Sequence, residues 1–308
     1  MHRKFLRSLL AGIISLTAIG VLIVYRADVR RAIGVPDSSA ATSSGSGTGF
    51  YLDVGASASL GTQPDGIVAH NGHRTNTGYS NDLVSIEKQH GMVLTMREIG
   101  CPGETVQSIL GQLKNRCYHL PNTQLTIATN YLHSHSGETG LVTIDLGFNN
   151  ILPCLTRAAT IVSCVNRGIV AVRNDLPIIV SRLQRAAGAH VHFIGLGYDD
   201  PFLAYYLLGS SGRANAQQGL NAINQLNAVL QQVYGSSHIP MANVAQAFRN
   251  GATNLVTTKF GVVPENVAEI CAATWMCTPP PFGPDDHPNN AGYSIIAHAI
   301  YVKLPRLS

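Results

Sequence analysis

Four short apolar runs, residues 50–55, 93–99, 141–146 and 190–196, alternate along the chain with longer stretches whose apolar residues recur every three or four positions. A short run bounded by glycine or polar residues reads as a buried strand, and a three- and four-residue recurrence reads as one face of a helix. The helical stretches are 81–90, 104–115, 156–187, 214–234, 264–273 and 289–304, and a fifth strand is expected within 239–245. Strands alternating with helices predict an α/β fold: a mostly parallel sheet covered on both faces.

The N-terminus differs in kind from the rest. Residues 1–7 are basic, residues 8–25 carry no charge, and Arg26, Arg30 and Arg31 follow. That run is at the short end of a membrane span, about 17 to 25 residues, and longer than the usual core of a signal peptide, about 7 to 15. Residues 1–35 are therefore read as a signal-anchor or signal peptide. Residues 36–48 are rich in Ser, Gly, Ala and Thr, the composition of a flexible linker. The folded body is expected over 49–308, long enough for one α/β domain. Six Lys/Arg against Asp28 and Asp37 put +4 on the segment up to Thr48, which is the formal charge of the whole 308-residue chain. The body is neutral overall, which argues against nucleic-acid binding, since that requires a clustered basic surface.

Chemistry is concentrated at the end of the first strand, in Tyr51-Leu52-Asp53-Val54-Gly55-Ala56-Ser57-Ala58-Ser59-Leu60-Gly61. A strand running into Gly-Ala-Ser places a hydroxyl at the carboxyl edge of the sheet, where open α/β folds bind ligands. An ordinary strand-to-loop turn has the same composition, so Ser57 gains weight only from partners. Three later stretches supply them: Gly100-Cys101-Pro102-Gly103-Glu104-Thr105, Asp145-Leu146-Gly147-Phe148-Asn149-Asn150 and Asp285-Asp286-His287-Pro288-Asn289. A serine hydroxyl attacks only when a base takes its proton, and the oxyanion so formed needs aimed donors. His287 can be the base; the backbone N–H groups of Ser57 and Gly103 and the side-chain amide of Asn149 can be the donors.

These four blocks in this order resemble the SGNH hydrolase superfamily, the GDSL-type esterases and lipases, over residues 49–303. The resemblance implies a three-layer α/β/α sandwich with a mostly parallel, flavodoxin-like five-stranded sheet. It also implies a nucleophile at Ser57, an oxyanion hole of Ser57, Gly103 and Asn149, a base at His287, and neither cofactor nor metal. Three positions depart from the family's pattern. Ala56 stands in place of the aspartate before the serine, Asn150 in place of the aspartate closing the third block, and Pro284 in place of the acid three residues before the histidine. The orienting carboxylate is therefore expected from Asp285. The α/β-hydrolase elbow Gly-x-Ser-x-Gly does not fit, because Ser59 replaces its last glycine.

Six cysteines in an exported body suggest disulfides. Proximity favours Cys101 with Cys117, Cys154 with Cys164, and Cys271 with Cys277. No Cys-x-x-Cys spacing suggests zinc, and the His-x-His pairs at His133/His135 and His190/His192 lack a third ligand. Gly195-Leu196-Gly197 is a poor dinucleotide loop, since Asp200 stands where the third glycine is needed. Phe202, Leu203 and Tyr205 either wall an acyl pocket or pack onto the core. The expected activity is hydrolysis of carboxylic esters by an extracytoplasmic monomer, acting on a small-molecule or lipid ester and touching a membrane through the N-terminal segment where that is retained. A cell-envelope carbohydrate O-acetyl esterase or acyltransferase of the same fold, and a catalytically silent surface-binding module, are the alternatives.

Overall fold

A computed structural model describes residues 47–67, 72–155 and 161–307. The leader expected over 1–35 and all but the last two residues of the linker expected over 36–48 lie outside the described residues. Residues 47 and 48 already belong to the first strand.

Five parallel strands form the sheet: β1 (Gly47–Gly55), β2 (Met92–Glu98), β3 (Gly140–Asp145), β4 (Val191–Leu196) and β5 (Met241–Ala242), in the order β2-β1-β3-β4-β5. The helices are α1 (Tyr79–Gln89), α2 (Gln124–Ser134), α3 (Phe148–Leu155), α4 (Ile161–Ala186), α5 (Gly209–Ser236), α6 (Glu265–Ala273) and α7 (Asn290–Tyr301). Helices α1 and α7 pack against each other, while α4 packs against α2, α3 and α5. The strand order explains this division. β1 leads through α1 to β2 on one side, and β3 leads through α4 to β4 on the other, so right-handed crossovers put their helices on opposite faces. The direction of the connections reverses between β1 and β3, which makes their carboxyl ends the topological switch point, where sheets of this kind bind ligands.

Sheet residues Tyr51, Leu52, Val54, Leu141, Val142 and Ile144 are fully buried, as a sheet covered on both faces requires. In α4 the buried residues Val165, Ile169, Val172, Leu176, Ile179, Val180 and Leu183 recur at the spacing read from the sequence.

Several local expectations need correction. The helix predicted over 104–115 is one turn, Val106–Ile109, because Gly111 takes a positive φ of 77° and the chain then turns to the disulfide at Cys117. Helix α2 was not predicted; its polar N-terminal residues blur the apolar period, and Thr123 caps it by accepting from the N–H of Thr126. The long helix predicted over 156–187 begins at Ile161 among the described residues, residues 156–160 lying outside them. A hairpin of β6 (Leu255–Thr258) and β7 (Gly261–Pro264) was also not predicted. Phe202 and Leu203 sit in a 3-10 segment, Pro201–Leu208, that packs on α5, and both are buried in the core. Among the described residues, no helix is long and apolar enough to cross a membrane.

Candidate active site

β1 ends at Gly55, and Ser57 opens a 3-10 turn, Ala58–Leu60. Gly55 is required here: a Cβ would meet Asp145 Cβ at 2.7 Å and Asp145 O at 2.9 Å. Gln124 clamps the strand end, accepting from Gly55 N–H at 3.0 Å and donating to Gly55 O at 2.9 Å. The same carbonyl accepts from Cys101 N–H at 3.0 Å. The carbonyl of Ser57 receives N–H groups from Leu60 at 3.1 Å and Thr62 at 3.2 Å, which closes the turn. The Ser57 side chain is half-buried and, among the described residues, is in no hydrogen bond.

The loop carrying Gly103 is anchored on both sides. Cys101 is buried and bonded to Cys117, and Glu104 N–H donates to Cys101 O at 3.0 Å. The Glu104 carboxylate is fully buried and accepts from Asn115, from Gln124 at 3.1 Å and from Ser108. Burial pushes its pKa up, and the Ser108 and Asn115 donors act against that. Gly103 itself is exposed with φ of 81°, a conformation that favours glycine. Asn149, on the first turn of α3, donates one N–H to Glu104 O at 3.1 Å. Asn150 accepts from Val106 N–H at 3.2 Å and donates to Gln107 Oε1 at 2.7 Å, so its amide ties α3 to the segment that follows the Gly103 loop. The N–H groups of Ser57 and Gly103 have no acceptor among the described residues.

His287 lies in the loop before α7. Its Nδ1 is 2.8 Å from Asp285 Oδ1, and the same oxygen accepts the backbone N–H of His287 at 2.9 Å. Asp286 is farther, at 3.8 Å from Nδ1. Trp275 braces the loop, donating N–H to His287 O at 3.2 Å and accepting from Asp285 N–H at 3.4 Å. Asn289 caps α7, accepting from Ala291 and Gly292 N–H, and donates to Ala272 O at 2.8 Å. The Cys271–Cys277 disulfide spans the start of this brace.

The electrostatics follow from the crowding of acids. Burial pulls the imidazole of His287 down, but the Asp285 hydrogen bond and the charges of Asp286, Asp285 and Asp145 outweigh it, so the pKa is raised. Asp285 is lowered in spite of burial, because His287 both bonds and faces it. Asp145 is buried and raised, with Tyr198 OH donating to its Oδ1 at 2.7 Å and the amides of Ala56 and Ser59 offsetting part of the desolvation. Its charge links the halves of the site: Asp145 is in register with Gly55, two residues before Ser57, and acts on His287. Asp199 is pushed up to about 7 by burial and by the charges of Asp286 and Asp145.

Sequence reasoning missed Asp145, Tyr198, Glu104 and Gln124. The one available signal was that Asp145 closes its strand as Gly55 closes β1, at the same height. Of the suggested pocket residues, Phe202 and Leu203 serve the core, and Tyr205 is half-buried with its ring tilted against Phe202. The pairs Cys101–Cys117, Cys154–Cys164 and Cys271–Cys277 are all bonded. Among the described residues, Asp285, Asp286 and His287 bring metal-type ligand atoms within 4.8 Å of one another. Of these atoms, His287 Nδ1 is already engaged by Asp285 Oδ1 at 2.8 Å.

No protein-family model matches the sequence, and no curated protein matches it either. Solved structures do. The phospholipase A1 of Streptomyces albidoflavus NA297 is similar over 83% of this chain and 99% of its own, with a TM-score of 0.51 at 18% identity. The extracellular lipase of Streptomyces rimosus is similar over 82% and 99%, at 0.52 and 16%. The acetylxylan esterase of Geobacillus stearothermophilus is similar over 84% and 94%, at 0.50 and 14%. At these identities the likeness is one of fold.

Proposed function

From the SGNH-hydrolase fold that the chain shares with these enzymes, we propose that it is an extracytoplasmic serine hydrolase of carboxylic esters, with Ser57 as nucleophile, His287 as general base and Asp285 as the group that orients His287. The observation that carries this reading is the pairing of Asp285 Oδ1 with His287 Nδ1 at 2.8 Å. It fixes the proton on Nδ1 and leaves Nε2 as the free acceptor. Two N–H groups without acceptors, on Ser57 and Gly103, and the second N–H of Asn149 are the donors proposed for the oxyanion.

His287 Nε2 takes the Ser57 proton as Oγ attacks the ester carbon. The tetrahedral oxyanion is held by Ser57 N–H, Gly103 N–H and Asn149 Nδ2, and its collapse expels the alcohol, which leaves with the proton from His287. Water then attacks the acyl-serine with His287 as base, and the acid is released. The three disulfides suit an oxidising compartment.

The test is hydrolysis of p-nitrophenyl acetate and its longer-chain homologues by the chain and by Ser57→Ala, together with labelling by a fluorophosphonate probe. Loss of both turnover and labelling in the variant supports the reading. Equal turnover by wild type and variant overturns it.

A further inference from the structure

Beside this centre lies a polar cleft of about 740 Å³, within the range of small-molecule sites. Its lining includes Gln63, Arg74, Asn76, Asn81, Glu98 and Trp275. Two of the segments that line the cleft also support the candidate centre. Gln63 follows Thr62, whose N–H closes the Ser57 turn, and Trp275 is the brace of the His287 loop.

The cleft is built rather than incidental. Gln63 is 7% exposed and spends both amide N–H donors and one acceptor site on the walls. Its Nε2 donates to Thr77 Oγ1 at 2.9 Å and to Asn290 Oδ1 at 2.7 Å, and its Oε1 accepts from Trp275 Nε1 at 3.2 Å. One buried amide thus orders three chain segments before any ligand arrives, which lowers the entropy lost on binding. Glu98 adds an independent sign. Its side chain is 2% exposed, Oε2 takes the guanidinium of the 59%-exposed Arg74, and Oε1 is buried with no partner among the described residues. A buried carboxylate oxygen without a donor is the kind of orphan that a ligand hydroxyl satisfies.

The chemistry of the lining selects the ligand. Arg74 and Glu98 cancel in charge, so the cleft does not select for an anion or a cation. Asn76, Asn81 and Asn290 present amides, and the half-buried indole of Trp275, its N–H already used, presents an apolar face. Neutral amides, a carboxylate–guanidinium pair and one aromatic face together fit a polyhydroxylated, uncharged molecule. We propose that this cleft binds a neutral oligosaccharide. Resting on the reading of Ser57 as nucleophile, this makes an ester-bearing glycan the substrate class, its sugar rings in the cleft and its acyl group at Ser57.

Trp275 is the single tryptophan of the chain, so its emission reports on this cleft alone. The experiment titrates xylohexaose, cellohexaose and chitohexaose, none of them esterified, into the full chain with excitation selective for tryptophan, and measures p-nitrophenyl acetate hydrolysis on the same sample. A saturable emission change with one of the three is expected, with the dissociation constant raised about tenfold in Asn76→Ala, and likewise in Arg74→Ala, as the loss of one hydrogen bond predicts. Asn76 is exposed, so the fold survives its change. Arg74→Ala leaves the buried Glu98 carboxylate unpaired, so its thermal stability is measured beside the titration, and Asn76→Ala decides where it is destabilised. Absence of any emission change while the small ester is hydrolysed overturns the cleft and leaves the hydrolase reading standing. Binding without hydrolysis keeps the cleft's ligand and removes the hydrolase reading. Binding that neither variant weakens also overturns the assignment to this cleft.

Discussion

Asp285 Oδ1 accepts two hydrogen bonds from a single residue, His287, one from Nδ1 at 2.8 Å and one from the backbone N–H at 2.9 Å. The short spacing thus does more than a distant acid can: the same carboxylate that holds the imidazole also holds the backbone that carries it. Trp275 then locks this two-residue turn to the end of α6 through both of its backbone groups. In the proposed mechanism an acid two positions before the histidine suffices because the loop is braced from outside.

Replacing Asp285 with Asn is expected to lower kcat by roughly 10⁴, the effect seen when the orienting acid of a serine triad becomes an amide. The pH profile gives a sharper check. In the proposed mechanism neutral His287 is the base, and its pKa is raised, so the acid limb of wild-type activity is expected above the ordinary histidine value of 6.5. Removing the Asp285 charge takes away support for the imidazolium, and the limb moves to lower pH. A limb that stays in place in the variant rejects Asp285 as the partner of His287.

Asn149→Ala is expected to lower kcat by about 10² to 10³, the loss typical of one oxyanion donor, with KM little changed. Its bond to Glu104 O at 3.1 Å is also lost, so thermal stability is measured beside the kinetics. Activity within a few-fold of wild type would place the oxyanion elsewhere.

The Cys101–Cys117 pair closes a loop with a sequence separation of 16, and a loop of that size is worth about 3 kcal/mol of stability in the chain-entropy view. Double replacement by Ser is expected to lower unfolding free energy by that order in denaturant titrations. Because this loop carries Gly103, kcat should fall as well, unlike the outcome for Cys154–Cys164. Unchanged turnover in the double variant would show that Glu104 and its buried donors hold the loop unaided.

Asp53 is buried at the centre of the sheet, accepting from Tyr79 OH at 2.9 Å, Thr143 Oγ1 at 2.8 Å and Ser80. Burial pushes its pKa up from 3.8 to about 8 against those donors. The folded state therefore binds this proton more tightly than the unfolded chain. Its contribution to stability is complete below about pH 4 and is lost as pH rises toward 8. Asp53→Asn is expected to flatten the fall in stability between pH 4 and pH 8 in denaturation series. An unaltered slope would mean that Asp53 is already charged in the folded protein.

By itself the sequence determined the parallel sheet, the placing of Ser57 at the end of β1, and the three disulfide pairs bracketing local segments, because strand period, glycine punctuation and short cysteine spacing are local properties of the chain. It also placed an acid beside His287, since Asp285 and His287 are two positions apart. Only the tertiary structure decided what meets from afar. Gln124 reaches Gly55 across 69 residues, and Trp275 reaches Gln63 across 212. Asp145 comes to lie beside the Ser57 turn through strand register: its place at a strand end is local, but which strand pairs with β1 is not. The core took Phe202 and Leu203 for the same reason: an apolar residue is used by whichever surface the fold brings to it, and that surface was helix α5.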